Sequence, residues 1–119
     1  MISLIICSRT PEISNKLATN IAETIGCEYE LVVIDNSRNS YSIFSAYNEG
    51  VRRANGNILC FMHDDILYKT IDWGKKVNCL YKENENIGVV GVLGSHYLTS
   101  KEGYWDMMQP YTTGCGIKL

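Results

Sequence analysis

The 119-residue chain contains no C-x-x-C pair, no Walker-type G-x-x-x-x-G-K-[ST] sequence, no excess of positive charge and no long apolar run. Each absence removes a class of function. The five cysteines, Cys7, Cys27, Cys60, Cys79 and Cys115, are odd in number, and several sit within apolar runs. Cysteine in such a setting behaves as a small buried hydrophobe. The pattern argues against a zinc site or a disulfide framework and leads to the expectation of a reduced, cytoplasmic setting. With 11 basic and 13 acidic side chains the net charge is −2, which argues against a general binder of polyanions such as nucleic acid, whose affinity clustered Lys and Arg supply. A small phosphorylated ligand stays open, because one metal ion can supply positive charge locally. No stretch approaches the roughly 20 apolar residues of a membrane span. The N-terminus lacks the basic flank and apolar core of a secretory signal. Internal repeats, linkers and low-complexity tracts are also missing.

What is there is a regular alternation of short apolar runs and amphipathic stretches. Apolar residues make up 45% and charged residues 20%, the balance of a globular domain. Residues 2–7 (ISLIIC), 30–34 (ELVVI), 57–62 (NILCFM) and 87–93 (IGVVGVL) are rich in β-branched or apolar side chains and too short for buried helices. They read as strands of a parallel sheet. Between them, Ile13, Leu17, Ile21 and Ile25 recur at helical spacing, with Thr10-Pro11 as the expected start and Gly26 as the stop. Ile43, Tyr47, Val51 and Ala54 mark a second helix, closed by Asn55-Gly56. Ile71, Val77, Leu80 and Tyr81 are the expected inward positions of a third, over 70–82. The order β-α-β-α-β-α-β predicts an α/β fold with helices on both faces of a mostly parallel, Rossmann-like sheet. One domain is expected over 1–119, with this core in 1–95 and an irregular tail, rich in Gly, Tyr and Thr, in 96–119.

Ligands of open parallel sheets bind beyond the carboxyl ends of the strands. The informative residues are therefore Ser8 and Arg9, Asp35 to Arg38, and His63 to Asp65. A carboxylate at Asp35 can accept hydrogen bonds from a ribose or a base, or it can cap its own loop. His63-Asp64-Asp65 concentrates negative charge beside an imidazole, which a divalent cation would relieve. The same carboxylates can instead cap a helix. Gly88 and Gly91 lie within a predicted strand, with Gly94 just after it, so close backbone packing explains them better than a dinucleotide fingerprint does. Trp73 and Trp105 read as core or rim residues, His96 as structural, and Arg52-Arg53 as a solvated helix face.

Taken together, these segments resemble glycosyltransferase family 2, whose members have the GT-A fold. The likeness rests on residues 2–10 (ISLIICSRT), 30–38 (ELVVIDNSR), 46–50 (AYNEG), 54–56 (ANG) and 58–65 (ILCFMHDD), in that order and spacing. The resemblance implies that Asp35 contacts the nucleoside. It also implies that Asp65 is the last acid of a D-x-D motif, holding Mn²⁺ or Mg²⁺ on the diphosphate of a UDP-, GDP- or dTDP-sugar. Ser8, Arg9, Arg38 and Asp64 are the further candidates for the nucleotide. His63 stands where the family usually has its first Asp. That substitution is similar to a subgroup named after a streptomycin-biosynthesis glycosyltransferase-like protein, and His63 joins Asp65 as a candidate metal ligand. Family catalytic domains are usually longer, with the acceptor site and general base in their later part, so a truncated GT-A sheet is expected. Neither Glu102 nor Asp106 is assigned a role.

The function expected is sugar transfer from a metal-bound nucleotide sugar to an acceptor that the residues do not identify. The alternative is a non-catalytic nucleotide-sugar-binding module or an inactive glycosyltransferase fragment. A metal-dependent phosphohydrolase or a receiver-like switch is a more distant reading, because a receiver needs acids where this chain has Cys7-Ser8-Arg9. A sheet cut short would leave apolar surface that favours pairing into a homo-oligomer.

Overall fold

The computed structural model describes residues 1–91. Six elements follow one another: β1 (Ile2–Ser8), α1 (Asn15–Thr24), β2 (Tyr29–Asp35), α2 (Ile43–Arg53), β3 (Ile58–Met62) and α3 (Trp73–Glu83). The strands form a parallel sheet of order β2-β1-β3. β1 lies between its neighbours, which is why its run of apolar side chains is buried almost without interruption.

Alternation along β1 sends its side chains to two different layers. Ile2, Leu4 and Ile6 pack with Leu17, Ile21 and Ile25 of α1 and its C-terminal end, with Met62, and with Trp73 of α3. On the other face, Ile5 packs with Val32, Ile34 and Ala46, so α2 covers that side. The result is the expected α/β/α layering, with α1 and α3 on one face and α2 on the other. Gly50 sets how closely α2 approaches: a Cβ there would stand 2.2 Å from Cγ2 of Ile5. Leu59 and Phe61 of β3 belong to the face that α2 shields, but they remain 38% and 48% exposed, because α2 sits over β1 and β2.

Several boundaries differ from expectation. α1 does not begin at Thr10-Pro11. Ser14 is the N-cap, its hydroxyl accepting from the Leu17 N–H at 3.2 Å, while the Thr10 hydroxyl donates to the Glu12 carbonyl at 2.6 Å. Gly26 does end α1, with φ of +68°. In α2 the buried positions are Ala46 and Gly50, whereas Ile43 and Val51 are 40% and 41% exposed. α3 starts after Asp72, whose left-handed backbone (φ 59°) breaks the helix predicted from 70. Ile71 is consequently exposed, and Trp73, 2% exposed, takes the inward place. The strand expected over 87–93 is not formed at 87–91, which join no ladder among the described residues; Val89 is 88% exposed, and positions 92 and 93 lie outside the described residues. An apolar run makes a strand only when another strand accepts its hydrogen bonds. Gly94, His96, Trp105 and Cys115, with the predicted tail, also lie outside them.

Candidate functional site at the carboxyl rim of the sheet

Parallel strands end on the same side, so Ser8, Asp35 and the residues following Met62 share one rim. The register makes this concrete: Ser8 pairs with Asp35, and Ile6 pairs with Met62. His63 and Asp64 follow directly after β3, at the same rim as the end of β1.

Ser8 is buried, and its hydroxyl works inside the protein. It donates to Oδ2 of Asp64 at 3.2 Å and lies 3.2 Å from the Thr10 hydroxyl. The Arg9 backbone N–H donates to the same Asp64 oxygen at 3.1 Å, and the exposed Arg9 guanidinium stands 3.8 Å from Oδ1. Burial pushes the Asp64 carboxyl up, but these bonds and the Arg9 charge outweigh it and hold the group below its usual range. Asp64 is thus an internal tie between the β1 and β3 ends. His63 and Asp65 on either side are exposed. Among the described residues, the Asp65 carboxylate takes part in no ion pair, in contrast to its neighbour.

Asp35 uses Oδ1 to accept from the Ser37 N–H at 2.9 Å, the loop-capping arrangement. That bond comes first in holding its carboxyl below the ordinary value, with the Ser37 hydroxyl and the nearby Arg38 charge adding to it. Both Asp35 and Arg38 are exposed. The loop beyond them is closed by Asn36, whose amide donates to the Tyr41 carbonyl and accepts from the Tyr41 N–H, both at 2.9 Å. A second asparagine does the same after β3. Asn20 donates to the Tyr68 carbonyl at 2.9 Å and accepts from the Tyr68 N–H at 2.7 Å.

Asn36 lies within the strand-end segment 35–38 already singled out, but its clamp on Tyr41 was not expected, and Asn20 was not singled out at all. Asn20 did carry a signal, since it lies on the apolar side of α1 between Leu17, Ile21 and Thr24, where Asn is unfavourable without a partner. Asn36 carried only its place in the strand-end loop, which gives no hint of its partner Tyr41. Arg52 and Arg53 pair with Glu49 at 2.9 and 2.8 Å on the outer face of α2, as a solvated helix face would.

No group of three or more His, Cys, Asp or Glu side chains able to enclose a metal occurs among the described residues. The donors fit only an open site. Asp65 offers hard oxygen ligands at the rim with His63 two residues before it, and Mg²⁺ or Mn²⁺ commonly takes one or two carboxylates and fills its remaining positions with water and phosphate oxygen. No described helix is long and apolar enough to cross a membrane.

Comparison with known proteins finds no match among curated proteins and none among solved structures. A family model described as "Glycosyltransferase like family" matches residues 3–117, nearly the whole chain. With its small parallel sheet, helices on both faces and polar strand ends on one rim, the chain belongs to this glycosyltransferase-like family, whose general chemistry is glycosyl transfer.

Proposed function

We propose that the chain binds a UDP-, GDP- or dTDP-linked sugar along the carboxyl rim of its sheet and transfers the sugar to an acceptor. In this reading the whole chain is one domain, and Asp65, with His63 beside it, holds Mn²⁺ or Mg²⁺ against the diphosphate. Asp35 keeps Oδ2 for a ribose hydroxyl or a base N–H while Oδ1 fixes its loop. Arg9 and Arg38 bring positive charge to the phosphates, and Ser8 and Asp64 hold the β1 and β3 ends together beneath the nucleotide. When bound, the divalent cation supplies positive charge that neutralises the leaving diphosphate. The observation that carries the reading is the convergence of three strand ends on one rim, with the carboxylates of Asp35 and Asp65 exposed there and that of Asp64 tied inward.

Titration calorimetry with UDP, GDP, dTDP and their sugars, with and without Mn²⁺, tests it. Asp65→Ala should abolish the Mn²⁺-dependent part of the affinity. Unchanged affinity in that variant removes Asp65 from the metal. Release of free nucleoside diphosphate during incubation with a donor sugar and candidate acceptors separates an enzyme from a binding module.

A further inference from the structure

We propose that Asn20 is a positioning residue for Asp65: its side-chain amide fixes the loop that carries the carboxylate to helix α1, through a two-point clamp on the backbone of Tyr68. The inference rests on the reading of the rim as a metal and nucleotide site.

Five residues, 63–67, separate the end of β3 from Tyr68. The segment is tied at three places. Met62 is held in the ladder opposite Ile6. Asp64 is held by the Ser8 hydroxyl and the Arg9 N–H. Tyr68 is held by Asn20, which satisfies both its N–H and its carbonyl, the two bonds that a neighbouring strand would otherwise make. Asp65 lies between the second and third ties. Its backbone is confined, while its carboxylate stays at the surface. Holding a functional group in place through the residues around it, with the group itself engaged by none of the described residues, is what preorganisation requires.

The clamp is itself braced. The Tyr68 ring stacks on Trp73 with centroids 4.0 Å apart and planes 12° from parallel. The Trp73 indole N–H donates to the Thr24 hydroxyl at 3.2 Å, and that hydroxyl donates to the Asn20 backbone carbonyl at 2.7 Å. Asn20 and Thr24, one turn apart on α1, thus close a ring of contacts through Tyr68 and Trp73. An amide suits the place better than a carboxylate. It both donates and accepts, as the Tyr68 backbone demands.

The test compares wild type, Asn20→Ala, Asn20→Asp and Asp65→Ala. Each is titrated with whichever of UDP, GDP and dTDP the wild type binds most tightly, with and without Mn²⁺. Partners that orient a metal ligand typically matter about 10–100-fold in metal affinity. Asn20→Ala should therefore weaken Mn²⁺-dependent binding by about tenfold or more and leave Mn²⁺-independent binding unchanged. Faster amide hydrogen exchange at 65–68, with β1 still protected, should accompany the loss. Asn20→Asp is nearly isosteric and keeps the acceptor but not the donor, so it should fall between, and it serves if the alanine variant does not fold. Wild-type Mn²⁺ dependence in a folded Asn20 variant overturns the inference. So does an equal loss with and without Mn²⁺, which is the mark of a merely structural role. If Asp65→Ala binds like wild type, the reading of the rim fails first, and the positioning role falls with it.

Discussion

Gly50→Ala is the sharpest test of the packing that places the rim. The new methyl would stand 2.2 Å from Cγ2 of Ile5, where carbon atoms prefer about 3.5–4.0 Å. The gap must open by about 1.3 Å, the difference between 3.5 and 2.2. Ile5 cannot yield easily, because it is buried on the middle strand and packed against Val32, Ile34 and Ala46. Overpacking of a tight core costs about 1–3 kcal/mol. Alanine also favours a helix interior over glycine by about 1 kcal/mol, which offsets part of that. With so large a displacement the upper half of the range applies, leaving a net destabilisation of about 1–2 kcal/mol. For a domain near this size each kcal/mol lowers Tm by about 4–8 °C, so a fall of roughly 4–16 °C is expected. Thermal melts followed by circular dichroism read it directly. Gly88→Ala, where an added Cβ meets nothing within 4 Å, is the control and should melt like wild type. Ile5→Leu removes the β-branched methyl, so the double variant should lose less than the sum of the single losses. A Gly50→Ala protein that melts at or above the wild-type temperature would refute the close approach of α2 to β1.

Two further outcomes rest on Glu30 and Trp73. Glu30 receives hydrogen bonds from the Ser3 hydroxyl, the Asn55 side chain and backbone, and the Gly56 N–H, and these hold its carboxyl down at about 2 against an ordinary 4.5. A depressed folded-state pKa stabilises fully above the unfolded value and is lost as pH falls through the folded one. Glu30→Gln should therefore melt below wild type at pH 6, and the difference should shrink between pH 4.5 and 2. A gap that does not change with pH would show that the charge is irrelevant. Trp73→Ala empties a buried site between α1 and α3 and should cost about 3–5 kcal/mol by urea denaturation. A loss under about 1 kcal/mol would mean that α3 does not contribute to the core as described.

Much of the architecture was legible because it rests on local pattern. The β-branched run of β1 and the four-residue spacing of Leu17, Ile21 and Ile25 each express a backbone period, and that period is written residue by residue. The rim was legible for the same reason: a parallel sheet must bring Ser8, Asp35 and the segment after Met62 to one side. Less legible were features that depend on a distant partner. Ile71 and Trp73 are both apolar and close in sequence, and only the left-handed turn at Asp72 decides which of them points inward. Val89 belongs to an apolar run, yet it stays exposed and pairs with no strand among the described residues.

The carboxylates show the same division. Asp64 and Asp65 are chemically identical and adjacent, and their chemistry alone does not say which of them turns inward. The sequence by itself determined the class of fold, the order of its elements and the strand ends on which polar residues would gather, because periodicity and side-chain chemistry are local properties. The tertiary structure alone decided that Asp64 turns inward to Ser8 and Arg9 while Asp65 stays at the surface, and that Asn20, 48 residues before Tyr68, closes the loop between them. Hydrogen bonds between residues so far apart exist only once the chain has packed, and the energy of that packing depends on all the layers together.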